Sequence, residues 1–503
     1  MYSFIISLVA LILGYFIYGI FVEHVFRPSK AATPARTKAD GVDYVPMPAW
    51  KVYMIQFLNI AGTGPIFGAI MGAMFGPSSF LWIVLGSIFA GGVHDYFCGM
   101  LSVRHGGLTM PDIIGHYFGK GIRSFMLVFS LLLLLLVGAV FVFSPAMILG
   151  GIAPIASTKE SSILAWVFIV FAYYVIATLL PVDKVIGRIY PLFAIALLFM
   201  AVALCVCLFV KWPSIPEFWD GLGNMGPSVG LNGQPIFPCL FITIACGAIS
   251  GFHSTQSPLM ARCILDEKQG RPIFYGAMIT EGIVALIWAA VSSYFFFDGG
   301  REAVGATSGQ APEVVTSVAK SWLGLFGGIL AVLGVVAAPI TSGDTAFRSA
   351  RLILADFFHV EQQKKLNRLY IALPIFAIAI VLLWYNVTDE NGFNTIWRYF
   401  GWANQTLACF TLWTATDYLT RKYGYAPLLD PEKVVATPKR PYYLLTMLPA
   451  CFMTSVCVTY IFVDKVGFNL PNEFIPYIGI STFILSFALY FIIRSHKTGQ
   501  QAL

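Results

Sequence analysis

The run Gln56-Phe-Leu-Asn59-Ile-Ala-Gly62-Thr63-Gly64-Pro65 interrupts an apolar stretch, 52–75, that is otherwise long enough to cross a bilayer. Glycine lowers helix propensity and Pro65 has no N–H to donate, so a helix through this stretch is expected to break between Asn59 and Gly64. Five apolar stretches further on, Thr243-Ile-Ala-Cys-Gly247-Ala-Ile-Ser250-Gly251-Phe-His253-Ser254-Thr255-Gln256-Ser257-Pro258 crowds polar and Gly residues into its second half. A lipid-facing helix would not carry that load. Backbone unwound at membrane depth persists only where it lines a cavity, and a pair of such interruptions in corresponding places marks a secondary transporter. Freed carbonyls there hold a cation, and freed N–H groups at the start of a half-helix hold a carboxylate. Close helix packing uses the same Gly, Ser and Thr. The amide and imidazole groups of Asn59, His253 and Gln256 go beyond what packing needs.

Of 503 residues, 58% are hydrophobic and 11% charged, with a mean hydropathy of +0.78, which excludes a soluble domain and makes this an all-α integral membrane protein. Apolar stretches at 3–22, 52–75, 80–101, 125–149, 163–180, 191–210, 238–258, 273–297, 323–340, 369–385, 395–416, 442–463 and 474–493 predict about 13 transmembrane helices. The first lacks a basic leader and a small-residue cleavage site, so it is expected to be retained rather than removed as a signal peptide. Alternate loops on one side carry most of the Lys and Arg, whereas the other side has only Lys159, Lys211, Arg301, Lys320 and Lys465. The positive-inside rule then puts the amino terminus outside and the carboxyl terminus inside. A net charge of +6 therefore calls for no nucleic-acid partner. The nine cysteines lie almost wholly in apolar stretches and form no disulfide or zinc framework. The Pro-rich loop 23–51 reads as a cytoplasmic linker near anionic lipid, and segments 211–237 and 298–322 as external caps or surface.

Three charges fall inside the spans, Asp95, Glu281 and Arg398, and each costs about 2.5–3.5 kcal/mol at a helix centre, so none is expected to be idle. Arg398, followed by Trp402, Asn404 and Gln405, is a candidate for a substrate carboxylate or for a gate. Glu281 is a candidate proton carrier, or else the buried partner of a basic residue such as Arg348. Asp95 sits between His94 and Cys98, which share a helical face one turn apart, a spacing suited to a soft metal. That run supplies only two ligands on one face, and a proton relay or a structural pair also fits it. Asp344, with Arg348 and Arg351 beyond it, predicts an inner gate or a helix-end charge network at the start of a cytoplasmic stretch. The expected substrate site combines Asn59, Gly62, Thr63 and Gly64 with Ser250, His253, Ser254 and Gln256, and with Arg398 and Asn404. In Ala338-x-x-Thr341-Ser342 a carbonyl and two hydroxyls three and four residues later lie on one helical face and offer the oxygens a hard cation wants.

The pair of broken spans resembles the five-plus-five inverted repeat of the amino acid, polyamine and organocation transporter superfamily. That resemblance implies a core at 52–417, with repeats 52–210 and 238–417 and discontinuous core helices 1 and 6. An added amino-terminal helix and linker, 1–51, and two added helices within 418–503 would flank it. Asn59-x-x-Gly62-x-Gly64 is similar to the core helix 1 break of sodium-coupled amino-acid carriers, and the Ala338 motif to their core helix 8. The cation ligands so implied are the carbonyls of Leu58, Ala61 and Ala338 and the hydroxyls of Thr341 and Ser342. At closer range, Asn59-Ile-Ala-Gly-Thr-Gly-Pro-Ile66, Gly92-Val-His-Asp95, Ser250-Gly-Phe-His-Ser-Thr-Gln-Ser-Pro258, Thr341-Ser-Gly-Asp-Thr-Ala-Phe-Arg-Ser-Ala-Arg351 and Phe400-Gly-Trp-Ala-Asn-Gln405 resemble the carbon starvation protein A family. Membership implies a bacterial inner-membrane importer of small peptides under carbon scarcity, coupled to Na⁺ or H⁺ and without a cofactor. Proton-coupled pyruvate symport on the same fold is the alternative.

A channel would want a continuous polar pore and has no use for paired breaks. An ATP-driven pump would need a nucleotide-binding loop, and a membrane protease a motif such as H-E-x-x-H; neither occurs, so no catalytic residue is expected.

Overall fold

A computed structural model describes residues 1–179, 186–229, 233–303, 311–389, 392–423 and 440–500. Lys184, Lys433 and Lys439, which entered the charge pattern, lie outside them. Among the described residues every regular element is helical, and nine helices are long and apolar enough to cross a membrane, or ten if the bent pair Ala49–Ile60 and Gly64–Ala73 is one span. This is a multi-pass membrane protein. The other three expected spans are helical but fail on length or composition. Stretch 238–258 is split into Ile236–Thr243 and His253–Ala261. Stretch 395–416 belongs to the polar helix Gly392–Tyr423. Stretch 323–340 straddles a π-helical turn, Val332–Val336, that leads into Ala337–Phe358.

Both interruptions are present. The helix Ala49–Ile60 ends, the chain bends by 53°, and Pro65 starts a π-helical turn, Gly64–Gly68, where its missing N–H is no loss. In the second, Gly247 takes φ +90, a left-handed conformation that only glycine adopts without strain. The two breaks lie against each other. A Cβ on Gly64 would overlap Cβ and Sγ of Cys246, and one on Gly68 would stand 2.9 Å from the Thr243 carbonyl. Neighbouring helices satisfy the backbone that the second break exposes. The Trp82 indole donates to the Ile244 carbonyl at 2.9 Å, Ser87 Oγ to the Gly247 carbonyl at 2.9 Å, and the Phe252 amide to Asn404 Oδ1 at 2.5 Å.

Two expectations from the sequence need correction. The helix through Thr341 does not leave the bundle at Ile340 but runs on to Phe358, with Asp344, Arg348 and Arg351 fully buried. Hydropathy misplaced it because aromatic neighbours absorb its polar groups. Gly343 lies against the Tyr174 ring, and the Tyr190 hydroxyl is 2.7 Å from Asp344 Oδ2. The loop 27–48 is also more than a polar linker. Thr33 Oγ1 donates to the Ile264 carbonyl at 2.6 Å, the Met47 amide to Cys263 at 3.1 Å, and Asp43 pairs with Arg351 at 3.5 Å, so the loop caps one end of the bundle.

Candidate transport site

Asn59 and Thr63, in the first break, are fully buried, yet Asn59 Oδ1 and Nδ2 and Thr63 Oγ1 have no hydrogen-bond partner. An orphaned buried polar atom costs about 1–3 kcal/mol, a penalty that a polar ligand or water relieves. Gly62 and Gly64 serve a different end, the close approach of Phe141 and of Cys246. In the second break Ser250 Oγ donates to Asn404 Oδ1 at 3.1 Å and Ser254 Oγ to the Gly251 carbonyl at 2.7 Å, so these three hold the unwound backbone in shape. Gln256 donates to Thr255 Oγ1 at 2.7 Å and leaves its Oε1 free.

The ionisable residues gather beside the second break. Asp95, on the helix Gly92–Arg104, stands with Oδ1 2.7 Å from His94 Nδ1 and Oδ2 2.8 Å from His253 Nδ1. His253 opens the half-helix after the break, and its Nε2 is 3.4 Å from Glu281 Oε2 on Gly276–Phe297. All four side chains are fully buried, and they form a continuous row, Glu281–His253–Asp95–His94, across three elements. Glu281 therefore faces His253 and not Arg348, whose guanidinium reaches the Ala177 carbonyl at 2.9 Å. His94, Asp95 and Cys98 do not converge as a metal set, because the Cys98 thiol turns to the Ser254 carbonyl at 3.6 Å. Among the described residues the three that do converge are Cys246, His253 and Glu281, with ligand atoms within 4.8 Å of one another.

A second cluster lies where Ala49–Ile60 crosses Ala337–Phe358. Ser342 Oγ is 3.0 Å from the Leu58 carbonyl, and Thr341 Oγ1 is 2.8 Å from the Ala338 carbonyl. Ala61 closes the same helix end, its amide bonded to Phe57 at 2.9 Å. This is an all-oxygen donor set, and the hydroxyls would turn their protons away from a hard cation held there.

Arg398 is exposed on the wall of a cavity of about 560 Å³ that also touches Asn224, Gln234, Met71 and Thr243. Met71 follows the first break and Thr243 precedes the second, so the cavity leads from Arg398 towards both. The opposite end of the bundle is closed by buried and half-buried ion pairs: Arg262–Asp356 at 3.0 Å, Arg104–Glu267 at 3.2 Å and Arg351–Asp43.

The model of the family described as carbon starvation protein CstA matches residues 1–160, 145–324 and 314–459. The chain belongs to the carbon starvation protein CstA family. An uncharacterised membrane protein of Haemophilus influenzae is 49% identical over 336 residues, 58% of this chain and 91% of that one. Peptide transporter CstA of Campylobacter jejuni is 26% identical over 88% of this chain and 77% of its own. The pyruvate/proton symporter BtsT of Escherichia coli is 26% identical over 52% of this chain and 44% of its own. Among solved structures, the manganese transporter of Eremococcus coleocola superposes with a TM-score of 0.54 at 13% identity, covering 90% of this chain and 98% of that one. That likeness shows a shared fold. The named relatives are transporters, and none of these likenesses favours a channel.

Within this CstA-family chain, sequence reasoning missed Cys246, Asp43 and Trp82. Cys246 adjoins Gly247 at the centre of the second break, which was the available signal; nothing in the sequence singles out the other two.

Proposed function

We propose that this protein is a secondary active importer of small peptides, driven by protons, working by alternating access around its two broken helices. The buried row Glu281–His253–Asp95–His94 carries the proposal, because it ties the moving half-helix start to two neighbouring helices through ionisable groups alone. A charge pair about 4 Å apart is worth on the order of 4 kcal/mol at an effective dielectric of about 20, so adding or removing one proton shifts a two-state equilibrium by about three decades. Protonation of Glu281 would release His253, and deprotonation would draw it back.

The substrate carboxylate would meet Arg398, and its polar atoms the free groups of Asn59, Thr63 and Gln256. A cavity of about 560 Å³ suits a short peptide, whereas pyruvate would leave most of it to water. Several relatives are named as peptide transporters, which favours the same choice; BtsT, named for pyruvate and protons, keeps pyruvate symport as the second reading. Sodium remains the rival coupling ion on the strength of the Leu58–Ser342 approach.

The same proposal takes about 13 spans in a bacterial inner membrane, an inverted-repeat core at 52–417 flanked by 1–51 and 418–503, and an external amino terminus. The Met1 amino group pairs with Glu217, so the first helix begins at the same end as the segment expected to be external. Purified protein in proteoliposomes, given labelled dipeptide or pyruvate under separately imposed H⁺ and Na⁺ gradients, tests this. The expected result is dipeptide accumulation on an inward proton gradient. Accumulation driven by Na⁺ alone and abolished by Thr341→Ala or Ser342→Ala would replace the proton with sodium.

A further inference from the structure

The corner shared by Glu281 and His253 also contains a thiol. Cys246 Sγ, His253 Nε2 and a Glu281 carboxylate oxygen lie within 4.8 Å of one another, and all three side chains are buried. Neither His253 Nε2 nor either Glu281 oxygen has a hydrogen-bond partner. The Cys246 sulfur keeps polar contacts with Ser250 Oγ at 3.3 Å and the Asn404 amide at 3.9 Å, but the buried His253 nitrogen and Glu281 oxygens that face it are electron-pair donors whose exposure to one another a cation relieves.

The surroundings of His253 are those of a metal-ligating imidazole. Its Nδ1 sits 2.8 Å from Asp95, a carboxylate that fixes the tautomer leaving the Nε2 lone pair free, and Asp95 is steadied in turn by His94 at 2.7 Å. The break supplies the third ligand. Unwinding between Thr243 and His253 frees Cys246 from helical register, so that it and His253 address the same point on Gly276–Phe297. Nitrogen and oxygen ligands on a tetrahedral ion, with bonds of about 2.0–2.1 Å, stand roughly 3.3 Å apart. His253 Nε2 and Glu281 Oε2 are 3.4 Å apart already. One sulfur, one nitrogen and one oxygen suit a borderline ion such as Zn²⁺ or Co²⁺ and disfavour Na⁺, Mg²⁺ and Ca²⁺.

We propose that Cys246, His253 and Glu281 form a binding site for a divalent transition metal of the Zn²⁺ class, with Asp95 orienting His253. Binding expels the thiol proton and any proton on His253 or Glu281 to solvent, and a fourth position stays open to water.

Titration of the purified full-length protein with Co²⁺ tests the binding without transport. A saturable sulfur-to-cobalt charge-transfer band, displaced by Zn²⁺, is expected from the wild type. It should vanish in the near-isosteric Cys246→Ser and persist in Cys263→Ser, while Asp95→Asn should weaken affinity by about 10–100-fold. No sulfur band in the wild type, or a band that survives Cys246→Ser, would overturn the site.

Discussion

Replacing Gly64 by Ala drives a methyl group of the first break into the second. The added Cβ would lie well inside 3.0 Å of Cys246 Cβ and Sγ, whereas carbon atoms pack at about 3.5–4.0 Å. The breaks must then part by roughly 1–1.5 Å, which also loosens the contacts of Gly68 with Thr243 and of Gly72 with Ile244. Overpacking of this kind costs about 1–3 kcal/mol. If the loss falls on the occluded state, initial uptake drops by about 5–160-fold. Cys246→Gly removes both offending atoms and should restore most of the rate, while Cys246→Ala keeps the Cβ and should restore little. A double-mutant cycle on uptake rate and on apparent melting temperature in detergent is thus expected to show a coupling of about 1–3 kcal/mol. Strict additivity of Gly64→Ala and Cys246→Gly would refute direct contact between the two breaks.

Arg398→Gln should raise KM for carboxylate substrates by about 10–100-fold, the worth of a charge-assisted hydrogen bond, with little change in maximal rate; an equal loss with a carboxyl-amidated peptide would count against a carboxylate role. Asp43→Asn leaves Arg351 buried without its counter-charge and should destabilise the closed end by about 3–5 kcal/mol, read as faster thiol labelling of a cysteine introduced at Ser349; unchanged labelling would remove the ion pair from the gate. Lys422, in the last turn of Gly392–Tyr423, has its ammonium pushed down to about 7 from 10.5 by burial and by Arg104 and Arg27, with Glu267 pulling the other way. Folding therefore favours the neutral amine, so wild-type stability is lowest below about pH 7 and rises between about pH 7 and 10.5. Lys422→Met should flatten that rise in melting curves, and an identical slope in both proteins would show that another group is responsible.

The two interruptions were legible because they are written in local chemistry: Pro65 lacks an N–H, and Gly247 alone accommodates φ +90. The polar load around them also fell where the buried ionisable residues gather. Which polar atom does what was not legible, since it depends on contacts between distant elements. Ser250 and Asn404 were expected to meet substrate, yet they bond each other and brace the second break. His94 and Cys98 share a face by periodicity, but a thiol one turn away serves a backbone carbonyl as readily as a metal, and Ser254 provides that carbonyl. Cys246 and His253 converge because the helix between them is unwound, which is where helical periodicity stops applying. The extent of Ala337–Phe358 failed for the reverse reason: Asp344, Arg348 and Arg351 lower its hydropathy, although the bundle buries them with tyrosine hydroxyls, backbone carbonyls and Asp43.

Glu281→Gln keeps the size of the side chain and fixes it neutral, so that it can no longer take up or release a proton, and the most direct measurement compares two modes of transport in proteoliposomes of this variant. Substrate counterflow, which exchanges labelled for unlabelled substrate without net proton movement, should persist, while accumulation driven by an imposed proton gradient should be lost. Accumulation at the wild-type level in Glu281→Gln would contradict proton coupling through the buried row beside the second break.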